Sequence, residues 1–160
     1  PVFLRLSRTA AAPTQGRPEP FSIGPAYELQ KGKDVALFAC GPMVELTIKA
    51  AEELAVHGIS ASVVNVPTVK PLDRETVVSV ARTCGACVSV EEHTIIGGLG
   101  GAIAEVLSEE LPTPLQRVGV RDTFGESGEP AEILERYGLT IDAVVKAAES
   151  AVDRKRRAAE

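Results

Sequence analysis

Short apolar runs alternate with segments of helical periodicity along most of this chain, and no other feature constrains the fold as strongly. Residues 35–40 are continuously apolar, whereas in residues 43–57 apolar side chains recur every three or four positions. Continuous apolar runs are typical of strands that helices cover on both faces. Repetition of this unit predicts strands at 34–40, 59–66, 87–90 and 115–120, and helices at 43–57, from Asp73 to Arg82, at 102–111 and 130–137, and from Ile141 onward.

Short connections between these elements favour a mostly parallel sheet between two layers of helices. The predicted helix ends agree with this, because Asp73 and Thr140 are suited to N-caps and Gly58 and Gly138 to helix stops. A chain of 160 residues is also the size of one domain. We therefore predict a three-layer α/β/α fold, and exclude an all-β fold and a helix bundle.

The composition of the chain excludes several functional classes. A net charge of −5 argues against a nucleic-acid partner, which requires a basic face. The basic run at residues 154–157 is interpreted as the solvated end of the last helix. No apolar stretch reaches the roughly 20 residues of a membrane span, and no signal peptide is visible. Three cysteines make an odd number, so we expect a reduced, cytoplasmic protein rather than a disulfide-bonded secreted one.

The first residues differ from the rest of the chain. Val2 to Leu6 is apolar enough for a buried strand, and residues 9–26 are rich in proline, glycine and small side chains, as in a linker. The chain also begins at Pro1 without a methionine. We interpret the first strand as the end of a preceding part of a longer protein, followed by a domain at 27–153 and a basic tail at 154–160.

A glycine-rich stretch precedes the helix predicted at 102–111. Its members are Gly97, Gly98, Gly100 and Gly101. They do not match the dinucleotide-binding fingerprint, whose third glycine would fall on Ile103, and no Lys-Ser or Lys-Thr pair follows as in a P-loop. A glycine-rich helix start can still bind an anion, but Glu91 and Glu92 at its mouth would repel a phosphate. We favour a structural role, in which the glycines let the helix approach its sheet or a partner subunit closely.

Two histidines are candidates for proton chemistry. His93 adjoins two glutamates, and a nearby anion favours the imidazolium form. Because the sequence offers no companion nucleophile at a fixed spacing, we interpret His93 as a hydrogen-bonded loop residue with a structural or interface role. His57 precedes Gly58 at a helix end and is interpreted as a capping cation.

Cys84 and Cys87 form a C-x-x-C pair. In thiol oxidoreductases the reactive cysteine lies at a helix N-terminus, where its pKa is lowered, whereas this pair follows a helix. A zinc site would need a second pair, and only Cys40 is left. We therefore interpret these cysteines as buried apolar residues and predict no metal site.

Two further segments are weak candidates on their residues alone. Arg5 and Arg8, near the end of the first strand, are the kind of side chain that binds a phosphate or a carboxylate, although surface positions are the simpler interpretation. The stretch RDTFGES at 121–127 matches neither the kinase triplet nor a nucleophile elbow. We interpret it as a loop after a strand, where α/β sheets place functional surfaces.

Three longer stretches together resemble one family. They are KGKDVALFACGPMVELTIKAAEELAVHGISASVVNVPTVKPLD, VSVEEHTIIGGLGGAIAEVL and VGVRDTFGESG. In order and spacing they resemble the C-terminal domain of transketolase-like, thiamine-diphosphate-dependent enzymes, over about Tyr27 to Val152. The resemblance is greatest to transketolases whose C-terminal half is a separate polypeptide. Deoxyxylulose-phosphate synthases and the beta chains of 2-oxo acid dehydrogenase decarboxylases carry similar patterns.

The resemblance implies a five-stranded mixed sheet with one antiparallel edge strand, which is one strand more than the pattern indicates. The stretch FSIGPAYEL supplies or precedes that strand. It also implies that residues 1–8 form the last strand of an upstream pyrimidine-binding domain. Ser7-Arg8 matches a Ser-Arg pair whose arginine grips the substrate phosphate, so Arg8 is the predicted substrate-binding residue, and Arg5 remains a lesser candidate.

The cofactor that the resemblance implies is thiamine diphosphate with a divalent metal such as Mg²⁺. In the family it lies between a diphosphate-binding domain and the pyrimidine domain of the partner subunit, and the activating glutamate would lie upstream of Pro1. The resemblance therefore implies that this fragment holds no catalytic residue and does not bind the cofactor. The role implied for it is packing and subunit contact, in a homodimer or a heterotetramer.

Three functions remain open from the sequence. The leading hypothesis is the C-terminal part of a transketolase that moves a two-carbon ketol unit between phosphorylated sugars of the pentose phosphate type, and that is inactive as an isolated piece. The alternative is the corresponding part of a 1-deoxyxylulose-5-phosphate synthase or of a decarboxylase beta chain; EEH and GESG favour the transketolase. A further alternative is a non-catalytic assembly or ligand-binding module.

Overall fold

The computed structural model of this protein describes residues 1–7 and 22–158. Within these residues, five strands and five helices follow one another in the order β1 (Tyr27–Gln30), β2 (Val35–Ala39), α1 (Met43–Val56), β3 (Ala61–Asn65), α2 (Arg74–Cys84), β4 (Cys87–Thr94), α3 (Leu99–Glu110), β5 (Leu115–Val120), α4 (Pro130–Arg136) and α5 (Ile141–Arg157). A search of the same residues finds no helix whose length and hydropathy would suit a bilayer crossing.

The strands form one sheet in the order β1-β3-β2-β4-β5. β3, β2, β4 and β5 pair in parallel, and β1 pairs antiparallel with β3 at one edge. This confirms the predicted α/β fold with a mixed five-stranded sheet. The strand that the apolar pattern did not indicate is β1, which overlaps the end of FSIGPAYEL.

The sheet is covered on both faces because its central strands carry apolar side chains in both directions. All five residues of β2 are buried. Leu37 belongs to the apolar cluster that includes α1 and α5. Phe38, the next residue, belongs to the cluster that includes α2 and α3. Successive residues of a strand point to opposite faces, so an unbroken apolar run here fills two separate cores.

The helix termini follow local rules that are visible in the sequence. Asp73 caps α2 by accepting a hydrogen bond from the Thr76 amide, and Thr140 caps α5 by accepting one from Ala143. Both predicted N-caps are confirmed. His57 is the C-cap residue of α1, and its Nδ1 lies 3.1 Å from Glu149 Oε1 on α5.

Helix α5 completes the core on the α1 side of the sheet. Its buried residues are Val144, Val145, Ala148, Ala151 and Val152, and they belong to the same apolar cluster as the buried face of α1. The run Arg154–Arg157 occupies the last turn of α5, so the interpretation of these residues as a helix end is confirmed.

The two largest errors in the predicted boundaries are at the end of β4 and at the start of α3. β4 continues to Thr94 rather than ending at Val90, and α3 begins at Leu99 rather than at Ala102. His93 therefore lies on a strand and not in a loop. The apolar pattern stops at Val90 because the following residues are polar, although the sheet pairing continues beyond them, with Thr94 opposite Val120.

The first seven residues contain no strand in the structure. The apolar side chains expected to be buried there are exposed, at Val2, Phe3, Leu4 and Leu6. A strand requires a neighbouring strand for its hydrogen bonds, and the described chain supplies none at this place. Instead, Arg5 donates to the Glu92 carbonyl at 3.0 Å. The assignment of residues 1–8 to an upstream domain stays a prediction, and most of the predicted linker lies outside the described residues.

Asp73 also fastens the edge of the sheet to α2, because its Oδ2 accepts a hydrogen bond from the Ala26 amide at 2.9 Å. Burial raises the pKa of the Asp73 carboxyl, but hydrogen bonds from Ala26, from the Thr76 amide and from the Thr76 hydroxyl outweigh burial and leave the pKa below its ordinary value of 3.8. The carboxylate is therefore stabilised by folding.

We predict that Asp73→Ala lowers the free energy of unfolding by about 1–2 kcal/mol at neutral pH, the usual effect of losing an N-cap. A lowered pKa in the folded state means that this stabilisation is complete above pH 3.8 and is lost as the pH falls through the native pKa. Denaturant unfolding of both proteins at several pH values should therefore show the difference shrinking in acid.

Asp142→Ala is the matched control, since Asp142 also lies in the first turn of a helix but is exposed and pairs with Lys146 on the surface. It should change stability by less than about 0.5 kcal/mol. A loss at Asp73 that stays constant down to pH 2 would contradict the role given to its carboxylate.

Candidate functional site at the start of helix α3

Three polar residues lie on one face of β4, the face that α3 covers. Ser89, Glu91 and His93 alternate along the strand and therefore point the same way. The next residue inward on this face, Cys87, is part of the apolar cluster between the sheet and α2 and α3. The side chains of Ser89, Glu91 and His93 therefore lie beside the N-terminus of α3.

The Glu91 carboxylate is wholly buried, with 0% of the residue exposed. Its Oε2 accepts a hydrogen bond from the Leu99 amide at 2.7 Å, and its Oε1 accepts one from the Gly100 amide at 3.0 Å. The first amides of a helix have no partner inside the helix, and the helix dipole favours an anion there. Gly98 stands at the N-cap position without a side chain, so Glu91 caps α3 from the neighbouring strand.

His93 extends this arrangement toward the surface. Its Nε2 lies 2.9 Å from Glu91 Oε2, and its side chain is 26% exposed. Nε2 is therefore placed to donate a hydrogen bond to the Glu91 carboxylate. Within the described residues, neither the buried Nδ1 of His93 nor the buried hydroxyl of Ser89 has a hydrogen-bond partner. Ser89 and His93 therefore do not form a nucleophile–base pair.

Two of the four loop glycines contact the row of polar side chains formed by Ser89, Glu91 and His93. A Cβ added to Gly98 would collide with Glu91 Oε2 and would lie 2.8 Å from His93 Nε2. A Cβ on Gly100 would collide with Ser89 Oγ and would lie 2.9 Å from Glu91 Oε1. These distances are shorter than those that real Cβ atoms make with their neighbours. A residue with a Cβ therefore fits at neither position unless the neighbouring groups shift.

The other two glycines have different surroundings. Gly97 has a left-handed backbone conformation, with φ at +71°, and a Cβ on Gly101 would meet no atom within 4 Å. The structure thus places Gly98 and Gly100 in close contact with Glu91, and of the four glycines it places Gly98 against the His93 ring, whereas a Cβ on Gly97 or Gly101 would meet no atom within 4 Å. Whether this region touches a partner subunit stays a prediction.

The expected position of Glu91 was wrong. We placed it at the mouth of the glycine loop, where it would repel a phosphate, but its carboxylate occupies the anion position at the helix start. Glu92, the next residue, points away from this face and is partly exposed. A signal in the sequence could have identified this role. Glu91 lies two and four residues after Ser89 and Cys87, so it shares their buried face of the strand, and this strand leads into a glycine-rich helix start.

The cysteines are unsuited to thiolate chemistry. Cys84 and Cys87 are buried in the core, as predicted, and burial raises the pKa of Cys84 to about 11 and that of Cys87 to about 12. Burial likewise raises the pKa of Cys40 to about 11. At neutral pH all three thiols are protonated. No group of three or more His, Cys, Asp and Glu side chains in residues 1–7 and 22–158 is arranged to hold a metal ion.

The remaining candidates lie apart from this site or outside the described chain. The loop at 121–127 follows the carboxyl end of β5, as predicted, and displays Phe124 with 96% exposure. Tyr137 holds this loop by donating to the Phe124 carbonyl at 2.9 Å. Arg8, the predicted substrate-binding residue, lies outside the described residues.

We predict opposite effects for two adjacent glycine substitutions in the first turn of α3. Gly100→Ala forces a Cβ against Ser89, Arg117 and Glu91 and should lower the free energy of unfolding by about 1–3 kcal/mol. Gly101→Ala meets open space and should raise it by about 0.5–1 kcal/mol, because alanine is the better helix former. Denaturant unfolding measures both; equal effects would contradict the packing described for Gly100.

We predict that Glu91→Gln lowers the free energy of unfolding by about 2 kcal/mol, because a charged acceptor is lost and an amide donor is turned toward other donors. Glu92→Gln is the matched control, and should change stability by less than about 0.5 kcal/mol. Thermal and denaturant unfolding compare the two variants. An equal loss for both would show that the Glu91 cap contributes no more than a surface charge.

Comparisons with known proteins agree with this architecture. The model of the family described as "Transketolase, C-terminal domain" matches residues 24–144. A 6-deoxy-6-sulfo-D-fructose transketolase subunit from Clostridium sp. (strain MSTE9) is 47% identical over 97% of this chain and 48% of its own length. A putative transketolase C-terminal section from Methanocaldococcus jannaschii is 39% identical, over 91% of this chain and 46% of its own.

Longer enzymes match as well. A 1-deoxy-D-xylulose-5-phosphate synthase from Desulforudis audaxviator is 44% identical over 85% of this chain and 22% of its own length. The chain therefore spans about half of the transketolase-type relatives and about a fifth of the synthase.

A solved structure described as "Split gene transketolase, inactive beta4 tetramer" superposes with a TM-score of 0.82 at 50% identity, covering 84% of this chain and 44% of that one. Its similarity extends from the sequence to the path of the backbone. The family model spans well over half of the residues, and the chain belongs to the transketolase C-terminal domain family.

Proposed function

We propose that this chain is the C-terminal domain of a transketolase-type enzyme that transfers a two-carbon ketol unit between phosphorylated sugars. The observation that carries the proposal is the 47% identity, along 97% of the chain, to a subunit whose name specifies a transketolase. The name of that relative adds 6-deoxy-6-sulfo-D-fructose as a candidate ketol donor. A cytoplasmic location is part of the proposal.

The chemistry of the proposed enzyme belongs to other segments of the assembled protein. A thiamine diphosphate cofactor would need a cradle for its diphosphate and ligands for a divalent metal. The start of α3 does not fit a diphosphate, because Glu91 already accepts hydrogen bonds from its first amides and its charge would oppose a phosphate. The cofactor and Mg²⁺ are therefore assigned to domains beyond the described residues.

The contribution of this domain is assembly. The solved relative is described as a tetramer, and this chain spans 44% of that one, which supports contacts with other domains and with further subunits. The proposed assembly is a homodimer or a heterotetramer in which this domain packs against diphosphate- and pyrimidine-binding domains. Of the described residues, Val2, Phe3, Leu4 and Leu6 offer exposed apolar surface for such packing.

A second candidate function follows from the 44% identity to a 1-deoxy-D-xylulose-5-phosphate synthase. That enzyme and a transketolase would use this domain in the same structural role, so the domain itself does not distinguish the reactions. Its share of the synthase is 22%, compared with 48% of the transketolase subunit. The transketolase is therefore the leading proposal.

An assay of the assembled enzyme with thiamine diphosphate and Mg²⁺ tests these proposals. We expect turnover with xylulose 5-phosphate or 6-deoxy-6-sulfo-D-fructose as donor and an aldose phosphate as acceptor. Turnover of pyruvate with glyceraldehyde 3-phosphate alone would establish the synthase instead. No turnover in either assay would favour a non-catalytic assembly module. Calorimetric titration of the present chain alone with micromolar thiamine diphosphate should give no binding heat.

Arg8 is the proposed contact to the substrate phosphate in that assembly. Arg8→Ala should raise the KM of phosphorylated substrates about 10- to 100-fold, since a hydrogen bond to a charged group contributes about 1.5–3 kcal/mol. Arg82→Ala, which removes an exposed arginine of α2, is the control and should leave KM unchanged. Equal KM values for both variants would remove Arg8 from the substrate site.

A further inference from the structure

The last strand of the sheet has a backbone edge that no described residue pairs with. β5 pairs with β4 alone, at the end of the strand order. Cys87 donates to the Pro114 carbonyl and Ile95 donates to the Val120 carbonyl. In a parallel sheet, every second residue of a strand forms its backbone hydrogen bonds with the same neighbouring strand. Even-numbered residues of β5 therefore face β4, and the amides and carbonyls of Leu115, Arg117 and Gly119 face outward.

A groove of about 400 Å³ runs beside this edge. One wall is β5 itself, from Gln116 to Gly119, and the other is formed by Tyr137 and by residues of α5 such as Lys146 and Ser150. The groove therefore combines an unpaired strand edge with a helix flank, which is the arrangement that an extended peptide requires for strand addition.

The charged residues that line the groove are all cationic. They are Arg117, Arg121 and Lys146, and no acidic residue is among the described lining residues. Arg117 turns its guanidinium away to the Ile95 carbonyl, at 3.0 Å, so it leaves the edge uncovered. Arg121 is exposed. The Lys146 ammonium pairs with Asp142 but is 71% exposed, so a ligand can compete for it at little cost.

We infer that this groove, hereafter the β5 groove, binds an extended acidic segment of a partner protein as an additional strand. Backbone groups of the segment pair with Leu115, Arg117 and Gly119, and its carboxylates meet Arg121 and Lys146. Main-chain hydrogen bonds supply the affinity of such a complex, and the charges select an acidic sequence. The inference does not rest on the proposed enzyme, because it uses only the geometry of β5 and α5.

Two other occupants fit the β5 groove less well. A second copy of the chain, joined edge to edge about a two-fold axis, would bring its own Arg117 and Arg121 toward the same cations, and like charges opposite one another are destabilising. A nucleic acid cannot pair with a strand edge as a peptide does, because it has no peptide amides and carbonyls to continue the ladder.

Fluorescence anisotropy tests the inference with the complete protein and a fluorescein-labelled heptapeptide of alternating glutamate and valine. We expect saturable binding. The same peptide with lysine in place of glutamate should bind at least tenfold more weakly. Arg121→Glu combined with Lys146→Glu should weaken binding of the acidic peptide at least tenfold. Lys49→Glu combined with Arg82→Glu changes the net charge equally at residues of α1 and α2 that do not line the groove and should leave binding within twofold. Circular dichroism and thermal unfolding verify that each variant is folded.

Peptides with N-methyl groups at alternate amides separate strand addition from simple charge attraction. Methylation along one edge of the peptide should abolish binding, and methylation along the other edge should preserve it. Equal binding of both methylated peptides, or no binding of the acidic peptide at millimolar concentration, would overturn the inference. So would displacement of the peptide by a single-stranded oligonucleotide of equal affinity, or a dimer in sedimentation that the Arg121 and Lys146 substitutions abolish.

Discussion

The carboxylate of Glu91, buried against the first amides of α3, is the interaction on which the surrounding structure depends. A charge without water is costly to bury unless hydrogen bonds compensate it. Two amides and the His93 ring provide that compensation. Because the carboxylate must reach the helix start, α3 is drawn onto β4, and the residues between them have to be small.

The glycines of this region follow from that contact. Gly98 and Gly100 on α3 lie against Glu91 from above, and Gly119 on β5 lies beside its Cγ, which a Cβ would approach to 2.9 Å. Glu91 is thus among the groups that a Cβ would meet at all three positions, although Ser89 is nearer to Gly100 and Ile95 is nearer to Gly119. The glycine-rich sequence suggests a site for a phosphate. In the fold, the helix start instead binds an anion of the chain itself, the Glu91 carboxylate.

Sequence reasoning succeeded where a single local rule decides the outcome. The apolar run of β2 and the caps Asp73 and Thr140 needed no knowledge of distant residues. It failed where the partner is remote. β1 is a four-residue, half-buried edge strand, so its apolar signal is weak. The polar end of β4 is a strand only because β5 pairs with it, and Glu91 is buried only because α3 covers it. None of these partners is visible from local periodicity.

The family membership and the internal contacts of Glu91 together support the proposal that this domain contributes to assembly. The chain is similar both to a transketolase subunit and to a 1-deoxy-D-xylulose-5-phosphate synthase, so related domains occur in enzymes of both names.

The position of α5 has a consequence for biosynthesis. The apolar face of α1, near the start of the domain, shares its cluster with α5, which ends at Arg157. A nascent chain that has released β1 through β5 still lacks this layer, and its incomplete core exposes apolar surface to solvent or to a chaperone. Such surface promotes aggregation. The domain is thus committed to late, near-complete folding as it leaves the ribosome.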